Sequence, residues 1–317
     1  MLYFNIPGPS DHLPLNLYFL NLYEQHRDFF YDDVAFSSCF GNFHYCIWDG
    51  GRNFIRYEHC TREYMEEVVN DYKDRNVALR LIFTNPVITE EHLDDRFGNL
   101  MLEVCDNGRN EVVVNSPLME QYIRENYPGY KIISSTTKRL TNPTDFLAEL
   151  DKDYYQVCLD YDLNKNKELL EAIPKEKRGK CEFLSNAICG SNCSFRKTHY
   201  AKTGIAQLTY LRDTYNVLGV CKIKENITHP SVLGKGNNLT RAEMQEYNKM
   251  GYKYFKLEGR TIPSSDLLGL YLYYFIKPEC QAEVLSLIVS QDGIFINDKN
   301  SSRVGIVDTP KNYYSMD

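Results

Sequence analysis

The residues best suited to chemistry in this 317-residue chain sit together in Asn186–Tyr200, NAICGSNCSFRKTHY. Cys189 and Cys193 are spaced C-x3-C, which lets both thiolates reach one metal or cluster from a single loop or helical turn. Gly190, Ser191 and Asn192 between them suit a loop whose free amides can donate hydrogen bonds to cluster sulfides. Arg196 and His199 follow closely, and Cys221 comes later. Cys189, Cys193, His199 and Cys221 also form a mixed set that a structural zinc ion would accept. A radical-SAM motif would need cysteine where Arg196 stands, and a cysteine protease would need one thiol activated by a histidine, which nothing here singles out.

A second constellation is KYFKLEGR, in which a β-type run delivers Glu258 and Arg260 with Gly259 between them to permit a tight exit. Arg260 can bind a substrate carboxylate through its planar fork, and Glu258 can orient it or move a proton. The structural alternative is an internal Glu258–Arg260 pair that closes the fold. Polar residues also end the other β-type runs: Thr84, Asn115, Ser135 with Thr136, Asp160 and Asn186. Singly each is an ordinary turn or cap residue. As a ring, with Arg196 nearby, they would orient an anionic small molecule.

The elements that must position these groups recur along the whole chain. Eight β-type runs alternate with helical patterns: Leu2–Ile6, Val34–Ser38, Val77–Phe83, Glu111–Asn115, Lys131–Ser135, Gln156–Asp160, Cys181–Asn186 and Tyr252–Leu257. That alternation is the signature of a parallel α/β architecture, and eight units predict a (β/α)8 TIM-type barrel with its chemistry at the strand ends. Residues 1–317 are read as one barrel domain. About sixty residues separate the seventh and eighth runs, far more than a crossover needs, so residues 194–240 are read as an insertion subdomain covering the active end. Thr240 and Glu243 form a capping box for the helix after it, and Gly251 marks that helix's end.

Composition narrows the class. No stretch reaches the roughly 20 apolar residues of a membrane span, and MLYFNIPGPS has no secretory pattern, which predicts a cytoplasmic protein. Ten cysteines are then read as reduced thiols, most of them small buried hydrophobes. A net charge of −7 disfavours a broad phosphate-binding face, although it leaves a local nucleic-acid groove open.

The cysteine-bearing loop, the insertion, the capped helix and Met250–Arg260 together resemble the U32 family of collagenase-like peptidases, in which a K-I-E-G-R segment follows a cysteine-rich region. The match is close over the last strand and helix and topological elsewhere. The resemblance implies a β/α barrel holding a [4Fe–4S] cluster on four cysteines and supporting oxygen-independent hydroxylation of a small molecule or nucleoside. Prephenate is the implied oxygen source, and a protein partner is implied as in UbiU/UbiV-like pairs. By the same resemblance Cys39, at the end of the second run, joins Cys189 and Cys193 as a ligand. The fourth lies between Cys181 and Cys221, with Cys221 preferred because Cys181 begins its strand. Zinc in place of the cluster, in a binding or assembly protein, and a peptidase are the alternatives. The R-G-x-C-x-x-x-C-R context of the peptidase-named members is absent.

Overall fold

The computed structural model describes residues 1–43, 46–51, 60–187, 189–209 and 236–290. Short runs rich in β-branched and aromatic residues form eight strands: β1 Leu2–Pro7, β2 Val34–Phe40, β3 Ala78–Phe83, β4 Glu111–Val114, β5 Lys131–Ser134, β6 Gln156–Cys158, β7 Cys181–Leu184 and β8 Tyr254–Lys256. Each pairs in parallel with the next, and β8 pairs with β1, so the sheet closes into the expected (β/α)8 TIM barrel. Each predicted run carries one of these strands, and the ends differ by up to two residues.

The helices start where local chemistry satisfies their first amides. Asp95 accepts from Gly98 N at the helix Arg96–Cys105, and Asn166 accepts from Leu169 N at the helix Lys167–Ala172. Thr240 and Glu243 make a reciprocal capping box on the helix Arg241–Met250, which ends at Gly251 in the left-handed region. Among the described residues, no helix is long and apolar enough to cross a membrane.

The main apolar core lies between the strands and the helices, where Phe4, Cys39, Leu81, Val112 and Phe255 face outward from the barrel. Inside the barrel, successive layers differ in character. The deeper one is polar: Arg80 donates to Glu111 at 2.6 Å, to Gln156 at 2.8 Å and to Glu182. Asn5 also donates to Glu182, Ser38 donates to Asn5 at 2.7 Å, and Cys158 donates to the second Glu182 oxygen at 2.7 Å. Burial raises the Glu182 carboxyl, but Arg80 and Lys256 outweigh it and hold the group below its usual range. One layer further along the strands stands an apolar belt of Phe40, Ile82, Val113, Ile133 and Cys158. This belt is the floor on which the strand-end residues stand.

Candidate functional site

Above the belt, at the C-terminal ends of the strands, a cleft with about 610 Å³ of empty space opens partly to solvent. Its walls carry Thr84, Ser135, Thr136, Thr137, Tyr200, Glu258 and Arg260, and its floor carries Phe40, Ile82, Val113 and Lys256. Hydroxyls, a carboxylate and two cations therefore converge where a β/α barrel places its chemistry.

The end of β8 supplies the most polar side of the cleft. Lys256 ends β8 with its side chain facing the barrel interior, and Glu258 and Arg260, in the segment that leaves the strand, line the same mouth. Asn186 fixes the exit of that strand: its amide donates to Glu258 O at 2.9 Å and accepts from Glu258 N at 2.8 Å. Asn186 thus holds backbone, rather than presenting its amide to a ligand. The Arg260 guanidinium meets Asp49, one nitrogen donating to both carboxylate oxygens at 3.0 Å and the other to Gly50 O at 3.2 Å. Asp49 also accepts from Gly50 N at 2.7 Å. Its carboxylate is only 1% exposed, and burial pushes it up to about 6 against the pull of Arg260.

Lys256 reaches the cleft from below. It is 9% exposed, and its Nζ sits 3.9 Å from the centre of the Phe40 ring. Burial lowers its pKa, Glu182 and Cys158 raise it, and Arg80 and Arg260 lower it further. The sequence pattern alone does not single out this lysine. Thr84, which directly follows the third β-type run and belongs to the polar strand-end ring read from the sequence, also lines the cleft, and its hydroxyl is buried without a hydrogen-bond partner among the described residues.

The residues expected in the ring divide between lining and scaffolding. Ser135 and Thr136 line the cleft, while Asn115 donates to Thr137 Oγ1 at 2.6 Å. Asp160 accepts two hydrogen bonds from Arg139, at 2.7 and 2.6 Å, and burial raises its pKa against that pull. Arg196 is 1% exposed, lies 3.8 Å over the Tyr161 ring, and donates to Asp162 at 3.0 Å and to Gly190 O. It clamps the cysteine loop onto the barrel. His199 is half-buried on the helix Arg196–Leu208, which also brings Tyr200 to the cleft.

The cysteines are not gathered as the resemblance implies. Cys189 and Cys193 share a loop at the mouth end, where Cys189 packs against Tyr161, Leu184 and Ala187. Cys39 lies on the outer face of β2, accepting from Asn16 at 3.4 Å, and burial raises its thiol far above the ordinary range. Parity explains the difference: β2 runs on to Phe40, which points inward, so Cys39 turns to the helices. Cys181 is buried at the start of β7, with its thiol pushed up to about 12. Cys221 and the central part of the expected insertion lie outside the described residues. Among the described residues, no three His, Cys, Asp or Glu side chains are grouped as a metal site requires.

No family model matches the sequence, and no curated protein matches it. A solved structure does resemble it: the U32 peptidase Mk0906, with a TM-score of 0.51 and 14% identity, over 82% of this chain and 93% of that one. The fold is a U32-like barrel. The likeness visible in the sequence of the last strand therefore extends to the architecture, and this U32-like barrel differs from the expected site mainly in where its cysteines and arginines point.

Proposed function

We propose that this U32-like barrel is an enzyme that binds a small anionic molecule at its mouth. The observation that carries this reading is the convergence of Lys256 at the end of β8 and Glu258 and Arg260 just beyond it on one cleft with the hydroxyls of Thr84, Ser135 and Thr136. Buried cations beside an unsatisfied hydroxyl favour an oxygen-rich anion, because charge-assisted hydrogen bonds strengthen in a site shielded from water. Arg260 joins such an anion most readily once Asp49 is protonated. Calorimetric titration with a panel of carboxylates, prephenate included, tests the reading. At least one should bind, and Lys256→Met should weaken it roughly ten- to a hundredfold, the loss of one charge-assisted contact. Equal affinity in the wild type and Lys256→Met would refute the role of the mouth.

Iron–sulfur-dependent, oxygen-independent hydroxylation is a second reading, favoured by Cys189 and Cys193 sharing the loop beside this cleft. Beside this cleft the described residues supply two thiols rather than four, so by themselves they do not complete a cluster or a zinc site. Anaerobic purification with iron, sulfide and zinc analysis distinguishes a cluster, a structural zinc ion and neither. Peptidase activity, the description attached to Mk0906, is tested by cleavage of a peptide library.

A further inference from the structure

Lys256 is placed unusually for a lysine. Its side chain enters the mouth through the apolar belt, and only 9% of the residue is exposed. Among the described residues no oxygen accepts a hydrogen bond from Nζ, and its close neighbour is the Phe40 ring at 3.9 Å. Glu182 already accepts from Arg80, Asn5 and Cys158, so three of its roughly four lone-pair sites are committed to the layer beneath. A lysine kept merely for structure would be expected to use its three donors.

We propose that Lys256 is a nucleophile that forms an imine with the carbonyl carbon of an anionic aldehyde or 2-keto acid held at the barrel mouth. This rests on the anion-binding reading and narrows its substrate class. The neutral amine attacks the carbonyl carbon, a C–N bond forms, and the carbonyl oxygen takes a proton to become a hydroxyl. That hydroxyl takes a second proton and leaves as water, while nitrogen gives up its two protons in all, so amine plus carbonyl gives imine plus water without any redox partner. Glu258 and Tyr200 line the same cleft and are suited to carry those protons. The surroundings make the neutral amine easier to reach from the resting cation: burial and the guanidinium groups of Arg80 and Arg260 oppose its charge, with Glu182 and Cys158 acting in the other direction. The carboxylate of the ligand would face Arg260 and the hydroxyls, leaving its carbonyl toward the floor.

The test uses the full chain with glyoxylate and pyruvate as probes in the presence of cyanoborohydride, which reduces an imine to a stable secondary amine. Intact mass and peptide mapping should show one adduct per chain on Lys256, formed at least tenfold faster than on surface lysines. Lys256→Arg keeps a cation at the floor, should still bind the probes by calorimetry, and should yield no adduct there. Binding of the probes without selective labelling of Lys256 overturns the imine and leaves the anion site standing. Failure of both probes to bind or label overturns the imine, and the anion site falls with it when no carboxylate of the wider panel binds either. If Lys256→Arg does not fold, competition by lactate, which matches pyruvate but has a hydroxyl in place of the keto group, serves instead. Lactate should slow labelling of wild-type Lys256 without forming an adduct, and labelling insensitive to lactate overturns the proposal.

Discussion

Replacing Asp49 with asparagine isolates the electrostatics of the mouth in a single stability measurement. Burial lifts the Asp49 carboxyl from 3.8 to about 6 even with Arg260 bound to it. The folded chain therefore holds this proton more tightly than the unfolded chain does. Asp49 contributes no penalty in strong acid, removes stability as pH rises from 3.8 to about 6, and costs a constant amount above that. At about 1.4 kcal/mol per pH unit the full loss is about 3 kcal/mol, of which about 1.4 kcal/mol falls between about pH 5 and about pH 7.5. The asparagine side chain keeps the shape and one acceptor for Arg260 but cannot titrate. Urea denaturation of both proteins at these two pH values cancels every other titrating group. The wild type should lose about 1–1.5 kcal/mol relative to Asp49→Asn on going to the higher pH. Parallel stability curves, or a wild type that gains on the variant as pH rises, would show that Arg260 holds Asp49 at or below its ordinary value and would refute the reasoning. The same protonation loosens Asp49 from Arg260, so affinity for a carboxylate that uses Arg260 should rise as pH falls toward 6.

Three further outcomes follow from the interior. Arg80→Met leaves Glu111 and Glu182 buried without their cation, so it should cost about 3–5 kcal/mol in denaturant melts. The loss should be smaller in mild acid, where a Glu182 no longer held low can take a proton. Gly98→Ala would set a Cβ 2.5 Å from Trp48 Cε3, and overpacking of this kind should cost about 1–3 kcal/mol by the same assay. If the protein carries iron or zinc, Cys189→Ser and Cys193→Ser should deplete it on elemental analysis. Cys39→Ser should leave the content unchanged, because Cys39 lies among the helices.

The barrel was legible because each strand is a short β-type run between well-marked helices, and local signals sufficed for features such as the Thr240–Glu243 box. The side of the strand on which a residue falls was harder to read. Ending β2 at Ser38 rather than Phe40 hides the inward turn of Phe40 and hence the outward turn of Cys39. Partners across the fold were not legible at all. Asp49 reaches Arg260 from 211 positions away, and nothing in the spacing of either residue announces it. Arg196 looked like a ligand-binding cation because its type permits that, yet its burial against Tyr161 and Asp162 makes it scaffolding. Lys256 was not singled out, because an isolated lysine in a strand is ordinarily a surface residue and its spacing from Glu258 gives no hint of burial.

Asp162 does more than neutralise two arginines. One of its oxygens accepts from Asn192 N at 2.9 Å and from the Asn237 amide at 2.7 Å, so a single carboxylate fastens the outgoing and the returning chain of the long excursion between β7 and β8. Leu239 N adds a second fastening, on Ser185 O at 2.8 Å. With both roots tied to the rim, the entropy of closing the excursion grows only slowly with its length. The barrel therefore holds the two ends of this excursion itself, while the helix Arg196–Leu208 within it packs back on the rim and supplies Tyr200 to the cleft. A change in length between the fastened ends would then cost the fold little, because the closure is made at Asp162 and Ser185.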